Sequence, residues 1–345
     1  MREDRGEERV KKILLVRLSS LGDLVHTLPA ATVLRENYPR ASLDWAVEDT
    51  YLPLIKTSKN VDEIIGVPRN RWGKLLKQGK VFKLWGEIHK FREYLRSKNY
   101  DLAFDFHNIL RSGILTWFSG AEIRWGYGSR EGNGFLINRR FPYSWTKEVH
   151  AVDQHLLALD SIGLQQREVD FGLKNLPLPR GFPGEKPYVL VHPRTRWATK
   201  NWPLPRYIEV GKKLNDLGFT VFFSGSEGDK EGIEKKIKYK KGLHSLAGKY
   251  SLLDFVAIAQ KANLYVGGDT GPMHIAVAVG TPVVVIMGPT QEKRFGPYRR
   301  ERSVVKAQLD CLGCGKRNCT ELICMEKVTV DMVWEAVREK LGVYS

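Results

Sequence analysis

Between Pro177 and Pro187 the sequence runs PLPRGFPGEKP, with four prolines and two glycines in eleven residues. Such a stretch has too few backbone donors and too much freedom to sustain a regular element. It divides the chain, because the same alternation of short apolar runs and helical patterns stands on both sides of it. Before it, Val10 to Leu18, Leu43 to Glu48, Val61 to Val67 and Tyr100 to Phe106 read as strands, and His150 to Ile162 as a helix. After it, Tyr188 to His192, Phe219 to Phe223, Asn263 to Val266 and Thr281 to Met287 read as strands. Helices are expected from Pro205 to Leu217, Leu252 to Lys261 and Val330 to Leu341. Buried strands alternating with helices predict parallel sheets covered on both faces. The expected fold is α/β, with two Rossmann-like domains facing a cleft. Residues 1–176 form the first, 177–187 the linker and 188–345 the second, whose last helix is placed to pack back on the first domain. In sheets of this kind, ligands sit at the carboxyl ends of the strands.

Two domains suit a chain of 345 residues. No run reaches the roughly 18 apolar residues of a membrane span. The opening MREDRGEERVKKILLVRLSS mixes both charge signs ahead of a short apolar run, unlike a secretory signal, so a cytoplasmic protein is expected. Net charge is +16, from 55 basic and 39 acidic side chains. That balance attracts nucleic acid, anionic lipid head groups or phosphorylated small molecules without choosing among them. It is most lopsided between Arg69 and Lys98, where ten Lys or Arg face only Glu87 and Glu93. Leu75, Leu76, Val81, Phe82, Leu84 and Trp85 interleave with these cations. The segment reads as a basic amphipathic surface for anionic lipid or as a solvated helix face. No nucleic-acid-binding motif accompanies it, so nucleic acid is not an expected partner.

Three polar stretches follow strands directly. In SSLGDLVHTLP, Asp23 stands where the first strand gives way to a helix. It is either a carboxylate capping exposed N–H groups or a general base that deprotonates a sugar hydroxyl. Gly22 permits a tight turn or close ligand approach, and His26, on the same helix face, either orients an acceptor or is structural. In HPRTRWATKNWP, Arg194, Arg196 and Lys200 bring cations beside Thr195, suited to a leaving diphosphate or to solvent. In GGDTGPMHIAVAVGTPVVVIMGPT, Asp269 and Thr270 precede a helix opened by Gly271-Pro272 and carrying His274. Thr270 and the first-turn N–H groups form a cradle for phosphate oxygens. Glu227, in FFSGSEGDKE, is a candidate for ribose hydroxyls. Cys311, Cys314, Cys319 and Cys324 lie in one piece, CLGCGKRNCTELIC, open to structural zinc, an iron–sulfur cluster, disulfide pairing or free thiols.

SSLGDLVHTLP, HPRTRWATKNWP and YVGGDTGPMHIAVAVGTPVVVIMGPT together resemble the ADP-heptose:lipopolysaccharide heptosyltransferases, glycosyltransferase family 9, over essentially the whole chain. LSSLGDLVHTLPA and LDWAVE look most like heptosyltransferase I within it. The resemblance implies a glycosyltransferase-B-like fold and an inverting mechanism that needs no metal or other cofactor. Asp23 would be the catalytic base and Lys200 the contact to the donor diphosphate. Asp269, Thr270, Gly271 and His274 match the donor signature, with Thr195 and Arg196 beside them and Glu227 on the ribose. The acceptor side would use Ser20, Gly22, His26, Arg69 and Arg71. The donor implied is ADP-heptose and the acceptor Kdo-lipid A. The protein would then lie peripherally at the cytoplasmic face of the inner membrane of a Gram-negative bacterium. The competing readings are a heptosyltransferase II or III acting on an already heptosylated core, a transferase of another nucleotide sugar, and a non-enzymatic binder of anionic lipid or nucleic acid.

Overall fold

The computed structural model describes residues 10–343, apart from residues 129, 130, 132, 144, 145, 147, 166, 167, 185 and 186. Two positions of the expected linker, Glu185 and Lys186, thus lie outside the described residues. The chain forms two compact units, Met1–Thr146 with Ala151–Lys174, and Lys147–His150 with Asn175–Ser345.

The first unit holds a six-stranded parallel sheet of β1 (Lys12–Val16), β2 (Ser42–Glu48), β3 (Glu63–Val67), β4 (Leu102–Asp105), β5 (Ile123–Gly126) and β6 (Arg139–Arg140). Its order is β3-β2-β1-β4-β5-β6. The second unit holds β7 (Tyr188–His192), β8 (Thr220–Phe223), β9 (Leu243–Ser245), β10 (Leu264–Gly268), β11 (Val283–Ile286) and β12 (Val304–Val305), again parallel. Its order, β12-β11-β10-β7-β8-β9, is the same arrangement counted from the other edge. Helices flank each sheet, and both units are Rossmann-like. In each, the chain changes direction between the unit's first and fourth strands, which opens a crevice at their carboxyl ends.

Central strands are continuous apolar runs because helices cover both faces. Leu14, Leu15 and Val16 are fully buried, as are Val283, Val284 and Val285. The helix Leu21–Asn37 is apolar nearly all round, with every side chain from Leu24 to Leu34 buried, because it lies between the sheet and the helix Ala151–Asp160. The helix Val330–Leu341 starts where Thr329 Oγ1 accepts the Met332 N–H (3.2 Å) and stops at Gly342, whose φ of 66° suits glycine. It packs on the helix Leu204–Asp216 and on β11, within the second unit. Arg69 to Lys98 folds as a helical hairpin, Arg69–Lys77 and Val81–Ser97, turning at Gly79 with φ 68°.

Candidate functional site

The first crevice is built around a buried cation. Arg17 follows β1, is 6% exposed, and donates from Nη1 to the Phe106 carbonyl (2.5 Å). Its Nη2 lies 2.9 Å from Asp23 Oδ1. Asp23 is in the first turn of the helix Leu21–Asn37, where its other oxygen, Oδ2, accepts from the Ser20 N–H (3.1 Å) and the Ser20 hydroxyl (2.9 Å). Burial pushes the Asp23 carboxyl up, but Arg17 and the Ser20 hydrogen bonds more than reverse this, and it settles below its ordinary value. The carboxylate is therefore ionised at neutral pH, and 33% of its side chain still meets solvent.

Beside it, at the end of β4, the Leu18 N–H donates to His107 Nδ1 (3.3 Å), which puts the ring proton on Nε2. Burial, then Arg17, holds His107 down at about 3, so the ring is neutral. Asp105 shapes this turn by accepting the backbone N–H groups of His107 (2.9 Å) and Asn108 (3.1 Å) and the Ser112 hydroxyl (2.8 Å). Burial raises its carboxyl to about 6 despite those bonds. Behind it the Tyr127 hydroxyl and His155 Nδ1 stand 2.6 Å apart, and burial drives their pKa values in opposite directions, leaving both neutral. Arg17 is thus the fixed positive charge of a pocket whose other buried rings are uncharged.

Of the proposed acceptor contacts, Ser20 and Gly22 flank Asp23 and are partly exposed. His26 is 3% exposed, so its ring faces the interior. Arg69 lies at the carboxyl end of β2, with Nη1 2.9 and 3.1 Å from the two Glu48 oxygens, and its charge is felt at His107. Arg71 turns instead to Glu87 (2.6 Å) across the hairpin. Arg111, which the sequence did not single out, is exposed and also acts on His107.

The second crevice has a corresponding ion pair. Lys200 Nζ donates to the Asp269 carbonyl (2.9 Å) and to Asp269 Oδ2 (3.0 Å), and His274 Nε2 lies 3.5 Å from Oδ1. Burial pushes the Asp269 carboxyl up, and His274 and Lys200 overcome it, leaving it at about 2. Thr270 caps the helix Gly271–Ala278 in extended conformation, and Pro272 in its first turn has no N–H to leave unpaired. Thr195 and the Lys200 backbone press against Gly268, where an added Cβ would come within 3.2 Å of Thr195 Cγ2. Thr195 is held in turn, its N–H donating to Asn201 Oδ1 (2.8 Å) and its hydroxyl to the Trp197 carbonyl (2.7 Å). Arg196 is exposed. Glu227 opens a short 3-10 turn after β8, the strand on the other side of β7, with 72% of its side chain exposed and Lys230 3.5 Å away.

The model of glycosyltransferase family 9 (heptosyltransferase) matches residues 88–324. The chain belongs to that family. A similar family 9 relative is lipopolysaccharide heptosyltransferase 1 of Pseudomonas aeruginosa, 30% identical over 90% of this chain and 87% of that protein. The solved structure of E. coli heptosyltransferase WaaC with ADP aligns at TM-score 0.80 and 25% identity over 95% of this chain and 99% of that one. E. coli ADP-heptose lps heptosyltransferase II shares the fold, with TM-score 0.77 over 96% of this chain and 98% of that one. This family 9 protein is accordingly a glycosyltransferase of two Rossmann-like units.

The cysteine segment contacts the second crevice. The Thr199 hydroxyl donates to the Lys316 carbonyl (3.1 Å), and Trp197 has Lys200 and Arg317 over its ring at 4.8 and 4.5 Å. Cys311, Cys314 and Cys319 are exposed and Cys324 is buried, its thiol raised by burial and by the other three. Among the described residues, no group of three or more His, Cys, Asp or Glu is placed to hold a metal ion. None of the described helices is long and apolar enough to cross a membrane.

Proposed function

We propose that this protein transfers heptose from ADP-heptose to a Kdo hydroxyl of Kdo-lipid A, with inversion at the anomeric carbon and Asp23 as general base. The observation that carries this reading is Asp23 itself: an ionised carboxylate, held by Arg17 and Ser20, that still meets solvent at the crevice of the first sheet. Its lowered pKa makes it a weak base toward a resting hydroxyl. A hydroxyl already bonding to carbon becomes far more acidic, so the proton passes to Asp23 as the bond forms. The acceptor oxygen attacks the anomeric carbon, the bond from that carbon to the diphosphate oxygen breaks, and ADP leaves with the electron pair.

Lys200 suits the departing charge. Two of its three N–H bonds go to Asp269, which fixes the ammonium and leaves the third for a phosphate oxygen. Thr270, Gly271 and the start of the helix Gly271–Ala278 offer dipole and N–H groups on the same side. Arg196 and Thr195 flank the diphosphate, Glu227 takes the ribose, and Ser20, Gly22, Arg69 and Arg111 line the acceptor side. Two relatives support a heptose donor carried on ADP, the Pseudomonas lipopolysaccharide heptosyltransferase 1 and the WaaC structure with ADP.

The test is release of ADP from ADP-heptose with Kdo-lipid A as acceptor, in EDTA, for the native chain and Asp23→Ala. Turnover that requires both the acceptor and Asp23 supports the reading. Native turnover only on an already heptosylated acceptor would move the protein to a later step, and equal turnover by both chains would remove Asp23 from the chemistry.

A further inference from the structure

The helical hairpin Arg69–Lys77 and Val81–Ser97 has two ends of opposite character. At its base Leu95 joins the core of the first unit with Ala103 and Leu115, and Trp72 meets Phe91 edge-on at 5.4 Å. At its turn nothing covers the chain. Residues 76–83 are exposed without a break, and they include Leu76 at 61%, Val81 at 56% and Phe82 at 95%. Trp85, three residues beyond Phe82 and so on the same helix face, is 68% exposed. Single exposed apolar residues are ordinary, but four at one tip mark a surface that meets something.

The charges select the partner. Arg69, Arg71 and Lys98, nearer the base, are paired with Glu48, Glu87 and Glu63. Lys74, Lys77, Lys80 and Lys83 are exposed and have no acidic partner among the described residues. Uncompensated cations and uncovered apolar side chains therefore coincide. A second copy of the same tip would bring like charges together. A bilayer with anionic head groups satisfies both: the aromatic rings enter the boundary of the acyl region, and the lysine stems lie along it with their ammonium groups at the phosphates.

We propose that this hairpin tip is a membrane-docking surface, inserting Phe82 and Trp85 among the head groups of anionic lipid and held there by Lys74, Lys77, Lys80 and Lys83. The inference does not depend on which sugar is transferred. It adds to the transferase reading by naming the side of the molecule that meets the membrane. The hairpin begins directly after β3, and Arg69 at its base binds Glu48 at the end of β2, so the hairpin is rooted at the crevice end of the first sheet.

The experiment is sedimentation of the full chain with vesicles of phosphatidylglycerol and phosphatidylethanolamine, and with vesicles of phosphatidylcholine alone. The native chain should partition onto the anionic vesicles, progressively less as salt rises, and not onto phosphatidylcholine. Replacing the four lysines together by Gln should lower partition about fivefold per charge. The pair Phe82→Ser and Trp85→Ser should lower it about tenfold or more. Lipids brominated in the acyl chain should quench native fluorescence, and Trp85→Phe, which changes little else, should lose part of that quenching. Partition equal in native and variant chains would overturn the proposal, as would quenching unchanged in Trp85→Phe. So would a native dimer that Phe82→Ser with Trp85→Ser dissolves, which would assign the tip to self-association.

Discussion

The two units carry sheets of one strand order, and each has an aspartate ion pair at its crevice, Asp23 after the first strand of its sheet and Asp269 after the fourth of its own, yet the two carboxylates have different surroundings. Asp23 keeps 33% of its side chain in contact with solvent, while Asp269 keeps 7%. Asp23 is held by a buried arginine beneath it and a serine beside it, which leaves its outer face open. Asp269 is gripped by Lys200 and His274, so both of its oxygens already have partners. Matching topology thus supplies two comparable crevices, and the surroundings decide how much of each carboxylate is open to a ligand. Access to solvent separates the roles more sharply than charge does, because both groups are ionised.

The comparison breaks most readily by removing each aspartate in turn. Asp23→Ala should lower kcat by about 10²–10⁴-fold, read by ADP release, and should also lower the thermal midpoint, read by calorimetry, because buried Arg17 loses its carboxylate partner. Asp269→Asn, which leaves a buried ammonium uncompensated, should cost about 3–5 kcal/mol of stability and weaken donor binding. A stable Asp269→Asn protein with native donor affinity would end the distinction drawn here. Arg17→Met should come next, lowering turnover roughly tenfold to a hundredfold by loosening the base. Because Arg17 helps to hold the Asp23 carboxyl down, the acid limb of the rate profile should move to higher pH in that variant. An unmoved limb would show that Arg17 is structural only.

A smaller effect lies in acid unfolding. The Asp269 carboxyl sits at about 2 against an ordinary 3.8, so its contribution to stability is complete above the ordinary value and disappears as pH falls toward the lower one. That contribution is about 2 kcal/mol, and urea titrations in that pH window should show a shallower fall for Asp269→Asn than for the native chain. Ser20→Ala should cost about 1 kcal/mol, seen as a small drop in midpoint with most turnover retained. Removal of divalent metal by EDTA should leave turnover unchanged, and a loss restored by a single metal would call for a different mechanism.

The apolar runs of β1, β2, β7, β10 and β11 were legible because fully buried strands cannot hide among polar residues, and the final helix was found to the residue. The strands β5, β6, β9 and β12 were not. They have two to four residues, too few to show a pattern, and they pair because the sheet is already there. At the site, motifs that follow a strand directly were readable, since strand ends are where polar residues stand out. Arg17 was passed over although its signal was present, a lone cation closing the run VKKILLVRL. His107, Asp105, Tyr127 and His155 could not have been assembled from spacing alone. They come from β4 and the segments after it, and only the crossover that sets β4 beside β1 makes them neighbours.

That crossover also fixes when a site can exist during synthesis. Arg17 reaches its carbonyl partner, Phe106, across 89 residues of chain, and Lys200 reaches Asp269 across 69. A nascent chain that has delivered Asp23 to the ribosomal exit therefore still lacks the strand that closes one side of β1, and its Asp23–Arg17 pair has only a temporary seat. Each crevice is completed late in the translation of its own unit. Chains halted before β4 or before β10 should emerge with one flank of a central strand open, and they should depend on chaperones in a way that chains halted just beyond those strands do not.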